Sequence, residues 1–344
     1  AAIPFRDENG SLKSSSQIDL EVFDAVSKAN KTGRHVVIHA IDQSKLGYQS
    51  PSPELIEKIN TIENLSLQII VDGAQLRLDV KDINNYLNKG YILMVTGSKY
   101  FTGPPYAGAL IVPKQIGDAI ESVKAILPAG LTEYFNRYDW PANWKCSKHL
   151  SDGFNYGTYM RWNAAIVEMK RYFETPILYR NLGIEMFCNF VEESIKESPI
   201  LEQLYEEHSS TLTYKSDEFG LRTIRTIFPF FIKKEGAILD VDDVKKLYML
   251  LNSNISDRFK DDSLETNRLA AQKCHIGQAV TVKHKQNKKS AILRISLGAR
   301  VISDSWKDRD VSMFFRNIEE QMSQVATIIR KIELIINHPD LIKN

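Results

Sequence analysis

The sequence holds little that would mark a specialised scaffold or surface. Cysteine is scarce, and Cys146, Cys188 and Cys274 are odd in number, far apart and in no CxxC pair. That excludes a disulfide framework and a structural zinc site, and it points to reduced thiols in a reducing compartment. Charge of one sign is missing as well: 44 basic residues face 43 acidic ones, for a net charge of +1. No long-range field is then available to gather nucleic acid or to hold the chain on an anionic membrane. No apolar run approaches the roughly 18 residues that cross a bilayer, and the opening "AAIPFRDENG" carries charge where a signal peptide is apolar. An internal repeat is absent too. These absences leave a cytoplasmic globular protein as the expectation, with no metal, membrane or nucleic-acid partner.

What is present is core-forming material: 43% of the 344 residues are apolar, enough for a core in each of two domains. Residues 17–30 place Ile18, Val22 and Val26 at helical spacing, and "KTGR" stops that helix. "HVVIHAI" (35–41), "LQIIVDGAQ" (67–75), "YILMV" (91–95) and "AGALIVP" (107–113) read as strands, the first as a buried-type run. "SPELIEKINTI" and "VKDINNYLNKG" between them read as a capped helix and a helix closed by Gly90. Alternation of this kind predicts an α/β fold whose mostly parallel sheet is covered on both faces, with ligands at the C-terminal strand ends. Residues 1–150 are assigned to this large domain and 151–208 to a helical connecting segment. Residues 209–344 form a small α+β domain in which "TIRTIFPFFIKK", "QAVTVKH" and "AILRISLGA" are strands, "DVDDVKKLYMLLNS" and the stretch 312–338 are helices, and "KHKQNKK" is a solvated hairpin turn.

Three polar clusters, "DQSK", "DGAQ" and "TGSK", fall at predicted strand ends of the first domain. Asp72 follows "LQIIV", so its carboxylate belongs at the mouth of the sheet, where an anion needs a cation or a donor facing it. Lys99 belongs at the mouth of the next strand, where partial desolvation would lower its pKa and make it a nucleophile toward a carbonyl. Taken singly, a strand-end aspartate is a turn or cap residue and a loop lysine is a solvated amine. Taken together, an amine and a carboxylate at neighbouring strand mouths suit pyridoxal phosphate, whose aldehyde bonds a lysine and whose pyridine nitrogen pairs with an acid.

At these residues the chain resembles the fold-type I pyridoxal-phosphate enzymes. "IIVDGAQ", followed by "SKYFTGPPYAGALIVP", is similar to the branch of class V aminotransferases and cysteine desulfurases. The resemblance implies that Asp72 faces the pyridine nitrogen, that Gln75 hydrogen-bonds the phenolic oxygen, and that Lys99 forms the Schiff base. It further implies that Thr96 and Ser98 donate to the phosphate and that Ser44 sits over the cofactor ring. Where the desulfurases carry histidine just before the lysine, this chain carries Ser98. "SAILRISLGAR" resembles the small-domain strand whose arginine, here Arg294, grips the substrate carboxylate through two parallel hydrogen bonds. Arg300 is the structural one of that pair.

The implied activity is a pyridoxal-phosphate-dependent transformation of an amino acid, with transamination as the first choice. Cysteine desulfuration or another β-elimination is the alternative, with Cys274 as the candidate mobile thiol. A non-catalytic scaffold that keeps the fold is the reading from another class. A Ser-Lys hydrolase built on "TGSK" fails on spacing, because Thr96 stands where the nucleophile belongs. Relatives place a glycine-rich phosphate loop well ahead of the first strand, and only residues 1–34 precede "HVVIHAI", so the large domain reads as incomplete at its N-terminal side. A partner, either a second copy as a homodimer or a second chain supplying the missing part, is therefore expected to cover exposed strand edges.

Overall fold

The computed structural model describes residues 1–123, 126–204, 208–212, 221, 224–283 and 289–343. The chain forms two compact units, one of residues 22–44 and 49–174 and the other of residues 1–21, 45–48 and 175–344. Among the described residues, no helix is long and apolar enough to cross a membrane. The first helix is α1 (Ser15–Asn30). Its start is capped by a reciprocal pair in which Ser14 N donates to Gln17 Oε1 at 2.8 Å and Gln17 N donates to Ser14 Oγ at 3.3 Å, as a helix entered through a serine run requires.

The unit of residues 22–44 and 49–174 is built on four strands, β1 (Val36–Ile41), β2 (Leu67–Asp72), β3 (Ile92–Thr96) and β4 (Gly108–Ile111), in that spatial order. β1, β2 and β3 are parallel, and β4 runs antiparallel on β3. Helix α2 (Pro53–Asn60) starts at Ser52, whose hydroxyl accepts from Leu55 N at 3.1 Å, and buries Leu55, Ile56 and Ile59. The unit also holds helices α3 (Val80–Asn88), α4 (Lys114–Ser122) and α5 (Tyr156–Glu174), with three short 3₁₀ turns between α4 and α5. Gly90 closes α3 with a φ of 78°, the left-handed turn that glycine adopts without a Cβ penalty.

This mixed α/β unit with a parallel-rich sheet follows the sequence reading, but its sheet is not covered on both faces. β1 alternates buried and exposed residues, with Val37 and His39 outward, and β4 is exposed from Gly108 to Leu110. α3 and α4 bury no residue fully. Among the described residues, β1 and β4 stand at the edges of this sheet, and β2 and β3 have a strand on each side.

The other unit contains α6 (Ile177–Glu197), β5 (Leu201–Gln203), β6 (Ile227–Lys234), β7 (Ala237–Ile238), α7 (Val241–Leu251), α8 (Leu264–Ala271) and β8 (Gly277–Lys283). It continues through β9 (Lys289–Ser296), α9 (Ala299–Ser305), α10 (Val311–Ile336) and α11 (Asp340–Lys343). Its sheet is antiparallel, ordered β5-β6-β9-β8, with β7 on β6. Pro229 is tolerated within β6 because its carbonyl accepts from Leu204 N just past the end of β5, so the missing N–H falls on the same side, beyond the last β5 pair. β9 stops at Ser296, and Ala299, read as strand from the sequence, instead opens α9 behind Gly298. The hairpin turn read into "KHKQNKK" lies, from residue 284 to 288, outside the described residues.

Phe228, Phe230, Ile232, Leu293, Phe314, Ile318 and Ile332 are wholly or almost wholly buried in this unit. Each such side chain contributes about 1.5–3 kcal/mol through removal from water. The long helix α10 packs on α6, α7, α8 and α9 and so ties the unit together. Lys331, in the last third of that helix, is fully buried and donates to the carbonyls of Leu251 at 3.2 Å, Ser253 at 2.8 Å and Gln272. Those carbonyls end α7 and α8, where the helix dipoles favour a cation.

Candidate active site

Asp72 is the last residue of β2, and the register Asp72↔Met94 places it level with the end of β3. The loops beyond are fastened to one another: Gly73 N donates to Met94 O at 3.0 Å, and Asp42 N donates to Asp72 O at 3.0 Å. Asp72 is half-buried, and its Oδ1 accepts from Ala74 N at 3.0 Å, the Asx-turn bond expected of a strand-end aspartate. Its second carboxylate oxygen has no partner among the described residues, so the turn leaves half of the carboxylate for another donor.

Beyond β3, Thr96 and Ser98 share a hydroxyl-to-hydroxyl hydrogen bond of 2.7 Å, and Ser98 N donates to Thr96 Oγ1 at 3.2 Å. Lys99 follows at the first position of a turn closed by Thr102 N donating to Lys99 O at 2.9 Å. Its side chain is exposed, where partial desolvation was expected, because the turn lies outside the last strand residue. The loop itself is rigidly seated. Gly103 N donates to Gly97 O at 2.9 Å, Gly97 N donates to Ala107 O at 2.9 Å, and both glycines press on Ala165 of α5. A Cβ at position 97 would lie 2.3 Å from the Ala165 methyl, and one at position 103 would lie 2.7 Å from it. Only glycine fits at either point.

Gln75 accepts at Oε1 from Arg77 Nη1 at 3.1 Å, which leaves its amide NH2 as the outward donor. Arg77 is buried, and its guanidinium stacks over the ring of Tyr100, Cζ to centroid 5.2 Å. Tyr100 is the neighbour of Lys99, so Arg77 links the loop after β2 to the loop after β3. The sequence reading missed this residue. It also passed over Asp42, buried at the end of β1 and bonded at 2.7 Å by Tyr86 Oη from α3, in favour of Ser44 two positions on. The signal was available, since Asp42 follows "VVIHAI" as Asp72 follows "LQIIV". Ser44 is half-buried in the same loop, next to Gln43, whose buried Oε1 has no partner among the described residues. Asn155, left without a role by the sequence, accepts from Thr158 N at 3.0 Å and caps α5.

Arg294 belongs to the other unit. It lies mid-strand in β9, 9% exposed, with Gly277 packed against its stem. Nη1 donates to Lys45 O at 3.0 Å and Nη2 to Gln278 O at 3.2 Å, while the buried Nε has no partner among the described residues. Burial pulls its pKa down, with Tyr248 acting the other way. Two carbonyls do not exhaust a guanidinium with five N–H groups, so donors remain for a carboxylate. Cys274, the candidate mobile thiol, is buried, and its N donates to Leu251 O at 2.8 Å. Burial pushes the thiol pKa up, offset in part by Lys331, which is the environment of an inert thiol.

The structure thus brings Asp72, Gln75, Thr96, Ser98 and Lys99 to one edge of one sheet, with Ser44 in the adjoining loop. An acid, an amine that can bond an aldehyde, two hydroxyls, an amide donor and the buried Gln43 acceptor form a donor set that fits pyridoxal phosphate.

No family model matches the chain, and no curated protein matches its sequence. Among solved structures it is similar to mouse CSAD, at 11% identity and a TM-score of 0.44 over 94% of this chain and 56% of that one. It is similar to the cystine C-S lyase C-DES, solved with its reaction product cysteine persulfide, at 13% identity and a TM-score of 0.43 over 92% and 65%. A putative histidinol-phosphate aminotransferase from Erwinia carotovora atroseptica SCRI1043 aligns at 14% identity and a TM-score of 0.38 over 88% and 66%. The chain spans little more than half the length of mouse CSAD.

Proposed function

We propose that this chain holds pyridoxal 5'-phosphate at the C-terminal edge of the β1–β4 sheet and acts on an amino acid, by transamination. One observation carries the reading: parallel β2 and β3 end side by side, one in Asp72 and the other in the Thr96–Lys99 segment. When bound, the cofactor supplies an electron sink for charge developing at the substrate Cα. Lys99 would hold the cofactor through its amine, and its Nζ would be the group that takes and returns the Cα proton. The second carboxylate oxygen of Asp72 would pair with the pyridine nitrogen, and the Gln75 amide, held at its oxygen by Arg77, would donate to the phenolic oxygen. The hydroxyls of Thr96 and Ser98, now bonded to each other, would donate to the phosphate. In the other unit, Arg294 keeps donors that its two carbonyl bonds leave over, and a carboxylate is the ligand such donors suit.

Cysteine desulfuration is the weaker chemistry here, since the held, buried Cys274 lacks the mobility and the thiolate character that sulfur transfer needs. A second copy of this chain, in a cytoplasmic homodimer, is proposed to cover the exposed apolar residues of the sheet unit, among them Val37, Tyr106, Leu110, Tyr159 and Met160.

The test is the visible spectrum of the purified chain titrated with pyridoxal phosphate. A visible band that saturates, and that is absent in Lys99→Ala, supports the proposal. A colourless protein at saturating cofactor overturns it and leaves the scaffold reading. With colour present, a panel of amino acids assayed for keto acid, sulfide and ammonia separates transamination from elimination.

A further inference from the structure

A groove of about 720 Å³ lies within the unit of residues 175–344, between α8 with the segment that follows it and the second half of α10. Its size falls in the range of small-molecule sites. Its walls carry Arg268, Lys273 and Arg330 with His275 beside them, against a single carboxylate, Glu265. That carboxylate is already engaged, because Arg330 Nη2 donates to Glu265 Oε1 at 2.5 Å. Arg268 and Lys273 have no ion-pair partner among the described residues. In a chain whose net charge is +1, this is local clustering and not a reflection of a basic protein.

His275 is oriented as well. Asn252 Nδ2 donates to Tyr248 O at 2.7 Å, which fixes the amide so that Asn252 Oδ1 accepts from His275 Nδ1 at 2.6 Å. The remaining ring nitrogen, Nε2, is the one this bond leaves over for a ligand. Leu269 and Ile328 give the groove an apolar wall, and Gln324 and Thr327 add neutral hydrogen-bonding groups. Two planar guanidiniums, one on α8 and one on α10, each match an oxyanion in two parallel bonds.

From this geometry we infer that the groove binds a small organic polyanion, with phosphate groups or paired carboxylates carried on an apolar body. The ligand bridges Arg268 and Arg330. It thereby tightens the junction that the neighbouring Lys331 already clips to the ends of α7 and α8, so occupancy stabilises this unit against heat. The site stands apart from the cofactor reading and does not depend on it.

Calorimetric titration of the full chain with pyrophosphate and with citrate, at ionic strength held constant by chloride, tests the inference. Saturable one-to-one binding of either probe is expected, and the stronger of the two tells phosphate from carboxylate recognition. The double variant Arg268→Gln/Lys273→Gln weakens it by about tenfold or more, as loss of unscreened charge contacts should. Glu265→Gln removes the competing carboxylate and tightens binding by about threefold. All three substituted side chains are exposed, so the unliganded melting temperature should hold. Failure of both probes to saturate, or equal affinity in the double variant, overturns the inference. Binding confined to a single-stranded oligonucleotide would also overturn it, in favour of a polymer groove. Should the double variant not fold, Glu265→Gln alone decides, and unchanged affinity there counts against the proposal.

Discussion

In the β1–β4 unit the ionisable groups of interest, Asp72 and Lys99, sit at or past strand ends and keep part of their surface in water. In the β5–β9 unit Arg294 lies in the middle of a strand and Lys331 within a helix, both buried and both bonded to main-chain carbonyls. The difference separates two uses of a cation. A buried ammonium or guanidinium loses its hydration, and neutral carbonyls return only part of it, which is why burial lowers the pKa of Lys331 and of Arg294. Such groups are anchored, and a change of partner is costly. Lys99 has the opposite setting, an exposed side chain on a loop whose backbone is seated by Gly97 and Gly103 against Ala165.

The comparison can be broken by substitutions that move chemistry and stability in opposite directions. Lys99→Ala should reduce amino-acid turnover by about 10²–10⁴-fold or more, through loss of both the anchor and the proton carrier. Its unfolding free energy should stay within about 0.5 kcal/mol of the parent, because the side chain is exposed. Denaturant titration monitored alongside the assay checks both halves. Lys331→Met reverses the pattern: the carbonyls of Ser253 and Gln272 lose a charged donor, while Leu251 O keeps Cys274 N, and at about 1–3 kcal/mol for each buried acceptor left unmade a loss of about 2–5 kcal/mol of stability is expected in the same titration.

Gly97→Ala falls between these, since its methyl would overlap that of Ala165. A cost of about 1–3 kcal/mol is expected, with a weaker affinity for pyridoxal phosphate by absorbance because the Lys99 loop must shift. The smallest effect is one of pH. Lys331 has a folded-state pKa below its ordinary value, so in the alkaline window between the two the unfolded chain binds the extra proton. Stability then rises with pH through that window as the burial penalty is relieved. Melting temperatures across alkaline buffers should show this slope in the parent and not in Lys331→Met.

Much of the fold was legible because its signals are local. The apolar runs before Asp42, Asp72 and Thr96 announce strands, Ser52 and Gly90 mark helix ends, and the long stripe of α10 follows from spacing alone. The exposed faces of β1 and β4 were not legible. A run such as "HVVIHAI" reads the same at a sheet edge as in its centre, and only the strand order decides which it is. The α9 helix was missed because "LGAR" continues an apolar strand without a break signal stronger than one glycine. In the candidate site, Asp72 and Lys99 could be read from the residues around them. Arg77 and Ala165 could not, because their roles arise from contacts with Tyr100 and Gly97 across the unit.

The sequence by itself determined which residues stand at the strand ends, among them the amine, acid, hydroxyls and amide proposed to hold pyridoxal phosphate, in an order set by strand and turn propensities that operate over a few residues. Tertiary structure alone decided which cations are held and which are reachable. Desolvation depends on every atom within several ångströms, and those atoms come from distant parts of the chain. Lys99 and Lys331 are the same residue type, and only packing makes one of them a surface amine and the other a buried clip.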